Sequence, residues 1–441
     1  MKTRLKICLV PIFSNRSIGG IAMSNSVITL LKQTFPFCDI TYHAPYSIKD
    51  IYRNLNLFEH FNSGIIFPSL MPTGKLFPKE KVLGNFKIII YGLRNTLLFI
   101  LSKIFKTKAK ILLWNKLERD AFDDIVSCDL AIVPPGFVFN DDRGGLIGFA
   151  IVFVRIYPLL LAKLFKRQVI FLGGSMGPFN GRLSRWMVRK TFDYVFVREK
   201  YSNDYGISAG FDKDRVFIIP DFAWYLLATK STSITTSFDD ITLNYFFKDT
   251  EYCVGIAIRA DERTEISSLY MKSLADLCNY LIDHKKAKII FFPMSIDIVS
   301  QDDPIFLKKL SERIKKKEKV QIFSPDQSID RYIGLFKRLD LLITSRFHGI
   351  ILSRPTPVIA VPRKNTNSMS FKLVGMMELL GIPEYVCYLD EPSGLDIAKK
   401  LIEKTWINRE SMKEQQQKIT NQMGNQLILE MQRLKDIVDA K

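Results

Sequence analysis

The chain has 441 residues, 47% hydrophobic and 24% charged, with 63 Lys and Arg against 45 Asp and Glu and a formal net charge of +18 at pH 7. That length is too great for one compact core and suits two domains, and the composition excludes a disordered or fibrous protein. The charge favours anionic partners such as phosphorylated substrates or anionic lipid, and the absence of a zinc spacing, nucleic-acid motif or arginine-rich arm removes nucleic acid from the expected partners.

Residues 1–13 combine basic residues with a short apolar run. The run lacks a small-residue cleavage site and leads into a polar turn, so residues 6–13 are expected to form a first strand rather than a signal sequence. A polar, glycine-containing loop over 15–20 and a helix over 24–35 follow, an order that could hold an anion at the helix start. Residues 40–43 predict a second strand. His43 and His60 have no partner pattern and are read as structural or surface residues, and residues 61–84, with Pro68, Pro72 and Pro78, as loop.

Residues 86–116 are apolar, aromatic and basic by turns, and Arg94, Lys103, Lys106, Lys108, Lys110 and Lys116 interrupt the run before it could span a bilayer. Such a stretch suits an anionic membrane surface or a helix packed on a sheet with its lysines reaching water. Residues 128–133 predict a buried strand ending in Pro134-Pro135-Gly136. Residues 146–165 have the length to cross a membrane, but Arg155 and Pro158 stand near the middle, and a charge at the bilayer centre costs ~2.5 kcal/mol or more. A buried or membrane-surface helix is expected there.

Three strand ends then present polar residues or glycine: residues 168–172 leading into an exit turn Gly173-Gly174-Ser175-Met176-Gly177-Pro178-Phe179, residues 194–197 into Arg198-Glu199, and residues 216–219 into Pro220-Asp221. Helices are expected over 183–191 and from Ser202, and the strand ends should line one crevice at the carboxyl edge of a parallel sheet. Residues 228–250, rich in Ser, Thr and Asp, read as a linker between an N-terminal domain 1–227 and a C-terminal domain 251–441. The second domain predicts strands at 252–258, 288–292 and 320–323, and helices over 267–284 and 305–317 and one running to 339. Its tail from 397 is helical. Asp302-Asp303 reads as loop and helix start rather than a metal motif, and His284 as a solvated helix-end cation. The six cysteines, Cys8, Cys38, Cys128, Cys253, Cys278 and Cys387, stand singly in apolar surroundings, as buried free thiols of a cytosolic protein do.

The second domain is organised around residues 340–364. Two apolar runs, 341–344 and 358–361, have the character of buried parallel strands, and between them lie Ser345, Arg346, His348 and Gly349 before a short helical turn. The polar cluster falls where a strand ends and a helix begins. Arg346 offers a planar charged fork for phosphate or carboxylate, and His348 a proton donor or acceptor that titrates near neutrality. Taken alone, an arginine at a strand end often just pairs with a carboxylate.

These pieces, in their order, resemble the polysaccharide pyruvyl transferase family: Gly174-Ser175-Met176-Gly177-Pro178-Phe179, Val197-Arg198-Glu199 with Ser202, Pro220-Asp221, and Ser345-Arg346-Phe347-His348-Gly349 with Pro357 and Lys364. The resemblance runs from about Ala131 to Gly381. It implies two Rossmann-like domains with parallel sheets in a glycosyltransferase-B-type architecture. It implies transfer of the enolpyruvyl unit of phosphoenolpyruvate to a sugar or lipid-linked oligosaccharide, with that donor as a substrate and no cofactor or metal. By the same resemblance Arg346 and His348 belong to the donor site, Arg198 approaches from the other domain, and Gly174, Ser175, Gly177, Ser345, Gly349 and Lys364 bind substrate. The sequence departs from the family pattern at Pro134-Pro135-Gly136, at Gly19-Gly20-Ile21-Ala22 and at Pro362-Arg363.

The residue chemistry agrees with that donor. Two separated arginines suit a molecule carrying both phosphate and carboxylate, His348 could protonate the enol methylene, and Asp221 could orient a group or accept a hydroxyl proton, or else cap a helix. Two other readings fit the same sequence: a nucleotide-sugar glycosyltransferase of the same fold, and a non-catalytic homologue that binds glycan or lipid. The expected location is the cytoplasm, either as a fully soluble enzyme whose charge steers phosphorylated substrates or peripheral on the inner face of the cell membrane.

Overall fold

A computed structural model describes residues 4–12, 17–46, 51, 65–71, 83–136, 138–141, 144–230, 252–259, 268–296, 303–324, 328–364 and 369–440. His60, Asn15, Asp302 and all but the first three residues of the expected 228–250 linker lie outside them. The chain forms two compact units, one comprising Met1–Asn15, Met23–Phe222 and Gln426–Lys441, the other Arg16–Ala22 and Ala223–Asn425. The end of the tail thus belongs with the first unit, whereas the sequence assigned the whole tail to the second.

The elements of the first part of the chain are β1 (Leu5–Leu9), α1 (Ile18–Thr34), β2 (Cys38–Ala44), β3 (Ile66–Pro68), α2 (Leu83–Phe105), α3 (Lys116–Ser127), β4 (Leu130–Val133), β5 (Val138–Asp141), α4 (Gly145–Leu164), β6 (Gln168–Phe179), α5 (Arg182–Thr191), β7 (Tyr194–Val197), α6 (Lys200–Ser208) and β8 (Val216–Ile218). The strands pair in the order β3-β2-β1-β4-β6-β7-β8, all parallel, with β5 added beside the far part of β6. The strand interiors are continuous apolar runs, as a sheet covered on both faces demands, and Ile132, Ile170, Phe171, Leu172, Val195 and Phe196 are fully buried. Helix α3 starts where Asn115 accepts the Glu118 N–H at 2.8 Å, a side-chain N-cap.

Three expectations change here. Strand β1 stops at Leu9 rather than residue 13, because Pro11 has no N–H to continue a ladder. Gly19 and Gly20 are not in a loop but in the first turn of α1. The expected exit turn after residue 172 is instead extended backbone: β6 runs on to Phe179, its register with β7 shifting between Leu172 and Gly174, and Ser175 and Met176 then pair with Val138 and Phe139 of β5. Gly173, at φ +72°, makes that shift, and a Cβ there would stand 2.6 Å from the Phe222 ring.

The second unit contains α7 (Ala223–Lys230), β9 (Cys253–Ala257), α8 (Ser268–Lys285), β10 (Lys288–Phe291), α9 (Asp303–Ser311), β11 (Val320–Ile322), α10 (Ile329–Phe336), β12 (Leu341–Thr344), α11 (Phe347–Leu352), β13 (Val358–Ala360), α12 (Met369–Leu379) and most of α13 (Gly394–Asp439). Its parallel sheet has the order β11-β10-β9-β12-β13. The order reverses between β9 and β12, and in open α/β sheets the crevice at the carboxyl ends of such a pair is where ligands sit. The expected helix over 146–165 is observed as the single helix Gly145–Leu164, with Pro158 and Arg155 inside it, and among the described residues no helix is long and apolar enough to cross a membrane.

Candidate functional site

Strand β12 is buried along its length and delivers Ser345, Arg346 and His348 to the switch point. Thr344 Oγ1 donates to Ala257 O at 2.7 Å and accepts the Arg346 N–H at 2.9 Å, tying the strand exit to β9. Gly349 is required for that arrangement, since a Cβ on it would stand 2.6 Å from Thr344 Oγ1. Ser345 staples the same two strands: its N–H donates to Ala257 O at 3.1 Å and its Oγ accepts the Arg259 N–H at 2.8 Å. Ser345 and Gly349 therefore shape the site through the backbone.

The Arg346 guanidinium pairs with the carboxylate of Asp303, a residue with no solvent exposure. The other Asp303 oxygen accepts the N–H groups of Met294 and Ser295, each at 3.0 Å. One buried carboxylate thereby fastens the exit of β10 to the exit of β12 and orients the arginine. The start of α1 joins the same place: Ser17 bridges Ser295, and the Ile18 N–H donates to Met294 O at 3.1 Å. Gly19, one residue on, lies against His348, with a hypothetical Cβ 2.2 Å from the imidazole Nδ1. Asp303 and Gly19 were both visible in the sequence, but neither could be assigned to Arg346 or His348 without the fold. Lys364 stands apart in character: 61% of its side chain is exposed, its ammonium pairs with Glu391, and its N–H donates to Asp390 at 2.9 Å.

A separate cluster occupies the ends of β6, β7 and β8 in the first unit. Arg198 donates through Nε to Ser175 Oγ at 3.0 Å and through Nη1 to Asp221 at 2.8 Å, and the Arg198 and Asp221 side chains are only 7% and 2% exposed. The Arg198 N–H donates to Gly174 O at 3.2 Å. Beside them Ser202 Oγ accepts the Met176 N–H at 2.9 Å and donates to Glu199 at 3.1 Å. Gly177, at φ +82°, lets Tyr205 close over the strand, where a Cβ would stand 2.2 Å from its ring. In this geometry Asp221 is a partner of Arg198.

A third cluster is buried under β1 and β2. Cys8, His43 and Asp124 hold their ligand atoms within 4.8 Å of one another, a spacing compatible with a metal ion. The same atoms are joined by hydrogen bonds, with Asp124 accepting from His43 Nε2 at 2.8 Å, Thr41 Oγ1 at 2.7 Å and Cys8 Sγ at 3.0 Å. His43, read from sequence as a bystander, is thus half of a buried ion pair. Burial opposes charging the ring, but the bonds to Asp124 and Cys8 outweigh it and raise its pKa to about 9. The cysteines are free, and all but half-buried Cys38 are buried.

Two parallel-sheet α/β domains, with Arg346 and His348 following β12 at the switch point of the second, make a Rossmann-type, glycosyltransferase-B-like fold. The fold is similar to that of UDP-GlcNAc 2-epimerase from Methanocaldococcus jannaschii, at a TM-score of 0.57 and 14% identity over 99% of this chain and 100% of that one. It is also similar to the Neisseria meningitidis UDP-GlcNAc 2-epimerase bound to UDP-GlcNAc, at 0.56 and 13% over 97% and 99%. Identities this low show the fold alone. No curated protein matches the chain. The polysaccharide pyruvyl transferase model matches residues 18–354, and the chain belongs to that family of transferase enzymes.

Proposed function

We propose that the enzyme transfers the enolpyruvyl unit of phosphoenolpyruvate to a pair of hydroxyls on a sugar, free or lipid-linked, to form a pyruvate ketal in a cell-surface polysaccharide. The observation that carries this reading is Arg346, oriented by buried Asp303, two residues before a histidine seated against Gly19. Arg346 binds the phosphate or carboxylate of the donor through its fork. His348 gives a proton to C3 of the enol while one sugar hydroxyl adds to C2. The C2–O bond to phosphate then breaks, and the second hydroxyl closes the ketal, so that donor and diol become ketal and inorganic phosphate. Proton transfer at carbon requires a positioned acid, and this is the step His348 performs. Arg198, with Asp221 and Ser175 as its positioning partners, and Gly174 and Gly177 are the residues of the first unit assigned to substrate binding in this reading, and Ser345, Gly349 and Lys364 those of the second. The pairing of Asp221 with Arg198 favours an orienting role for Asp221 over that of a base. Incubation with phosphoenolpyruvate and candidate sugars, following phosphate release, tests the reaction. Turnover of a nucleotide sugar without phosphate release from phosphoenolpyruvate would replace it with the glycosyltransferase reading, and inertness to both would favour a binding homologue.

In this reading the enzyme works in the cytoplasm, peripheral to the inner face of the cell membrane, where a lipid-linked acceptor resides. The support is a stripe on α2: Leu93, Leu97, Ile100 and Ile104, at helical spacing, are 70%, 47%, 50% and 68% exposed, with Lys103, Lys106 and Lys108 exposed around its end. An amphipathic face of this composition suits an anionic lipid surface. Flotation with anionic liposomes should show binding that falls with salt and with Leu97→Glu, and absence of any salt-sensitive binding would remove the membrane from the account.

A further inference from the structure

Arg354 closes the turn after α11, and its side chain lies in the interior at 2% exposure. None of its guanidinium nitrogens, Nε, Nη1 or Nη2, has a hydrogen-bond partner among the described residues. Burial alone pushes its pKa down, to about 9, so the group is still charged at neutral pH. A buried cation with no counter-charge is among the most costly features a fold can keep, and a bound anion is the ordinary remedy. The residue borders a pocket of about 260 Å³ together with Leu227, Lys337, Pro355, Gln417 and Thr420. The lining holds two cations and an amide, and no carboxylate. Burial also lowers the pKa of Lys337, which stands at the end of α10. Beside the pocket on α13, Gln416 has no exposure and neither of its side-chain amide atoms has a hydrogen-bond partner among the described residues.

We propose that this pocket in the second unit is a binding site for a small oxyanion of the phosphate class. The Arg354 fork matches two oxygens of a tetrahedral anion, and Lys337 adds the second charge that a dianion calls for. The Gln417 amide gives one N–H to Asn421 at 3.1 Å and keeps another for the ligand, whereas the Thr420 hydroxyl is already donated to Gln416 O at 2.8 Å. The space exceeds a bare phosphate ion and admits a small phosphate ester. Through α11, which runs only from Phe347 to Leu352, an anion here would brace the far end of the turn that carries His348.

Thermal melting of the full chain, titrated with inorganic phosphate or glycerol phosphate against chloride at equal ionic strength, tests the site. A saturable rise in Tm is expected, and the tighter of the two probes identifies free phosphate or an ester as the ligand. Arg354→Met should abolish the rise while leaving Tm in chloride unchanged or higher, because it removes the buried charge. Lys337→Met should weaken binding about 10-fold and decides the matter if Arg354→Met does not fold. Arg346→Lys should leave the rise in place. Absence of any saturable response in the wild type would overturn the proposal, as would a response that survives Arg354→Met or Lys337→Met and disappears in Arg346→Lys, which would put the anion in the donor site.

Discussion

Gly19 and His348 are packed so closely that a single added methyl on the glycine would stand 2.2 Å from the imidazole Nδ1. Gly19→Ala must therefore turn the ring or shift the start of α1. Alanine favours a helix over glycine by about 1 kcal/mol, which offsets part of any stability loss. The expected result is a folded protein whose phosphate release is slower by roughly 10- to 100-fold, since small misplacements of a catalytic group cost that much. A Gly19→Ala enzyme with wild-type turnover would mean that the position of the His348 ring does not matter.

The Asp303 carboxylate holds Arg346 on one oxygen and two backbone N–H groups on the other. Asp303→Ala breaks a buried ion pair and should lower stability by about 3 kcal/mol, measured by urea unfolding. Asp303→Asn keeps an acceptor for the backbone but frees the guanidinium to wander. Its KM for phosphoenolpyruvate should rise about 10-fold with a smaller change in kcat, and an unchanged KM would show that Arg346 needs no orienting partner.

The buried His43–Asp124 pair makes stability depend on pH. His43 has its pKa raised from 6.5 to about 9, so its contribution is complete below 6.5 and is lost as pH climbs through about 9. Asp124 has its pKa lowered despite burial, by its bonds to His43, Thr41 and Cys8, so its contribution is present above 3.8 and is lost as pH falls through the lowered value. Urea unfolding of wild type and His43→Gln at pH 6 and again near the upper pKa should show a difference that shrinks at the higher pH. A constant difference would mean that folding leaves the pKa of the imidazole unshifted.

The sheets were legible because buried parallel strands are short apolar runs: residues 194–197 and 341–344 coincide with β7 and β12. Helix and strand limits were less legible where glycine and proline carry more than one meaning. Gly19-Gly20 read as a loop because glycine disfavours helices, yet both lie in the first turn of α1, and at Gly19 nothing larger fits beside His348. Gly173–Phe179 read as a turn, but positive φ at Gly173 and Gly177 serves a shifted register and a close aromatic instead. Arg346 and His348 were legible as a site because they sit at a strand end. Their partners were not, because Asp303 is 43 residues away in sequence and is brought to Arg346 by the sheet. The buried state of Arg354 left no sequence signal at all, since an arginine before a proline ordinarily reads as surface turn.

The central claim is that His348 is the acid at the enol carbon, and phosphate release by His348→Gln, measured beside a melting curve, tests it most directly. The account predicts a folded protein with wild-type Tm, little change in phosphoenolpyruvate binding, and turnover reduced by roughly 100-fold or more. Arg346→Lys should instead weaken donor binding, because an ammonium cannot reproduce the bidentate fork. A folded His348→Gln protein that releases phosphate at the wild-type rate would contradict the account and remove His348 from the mechanism.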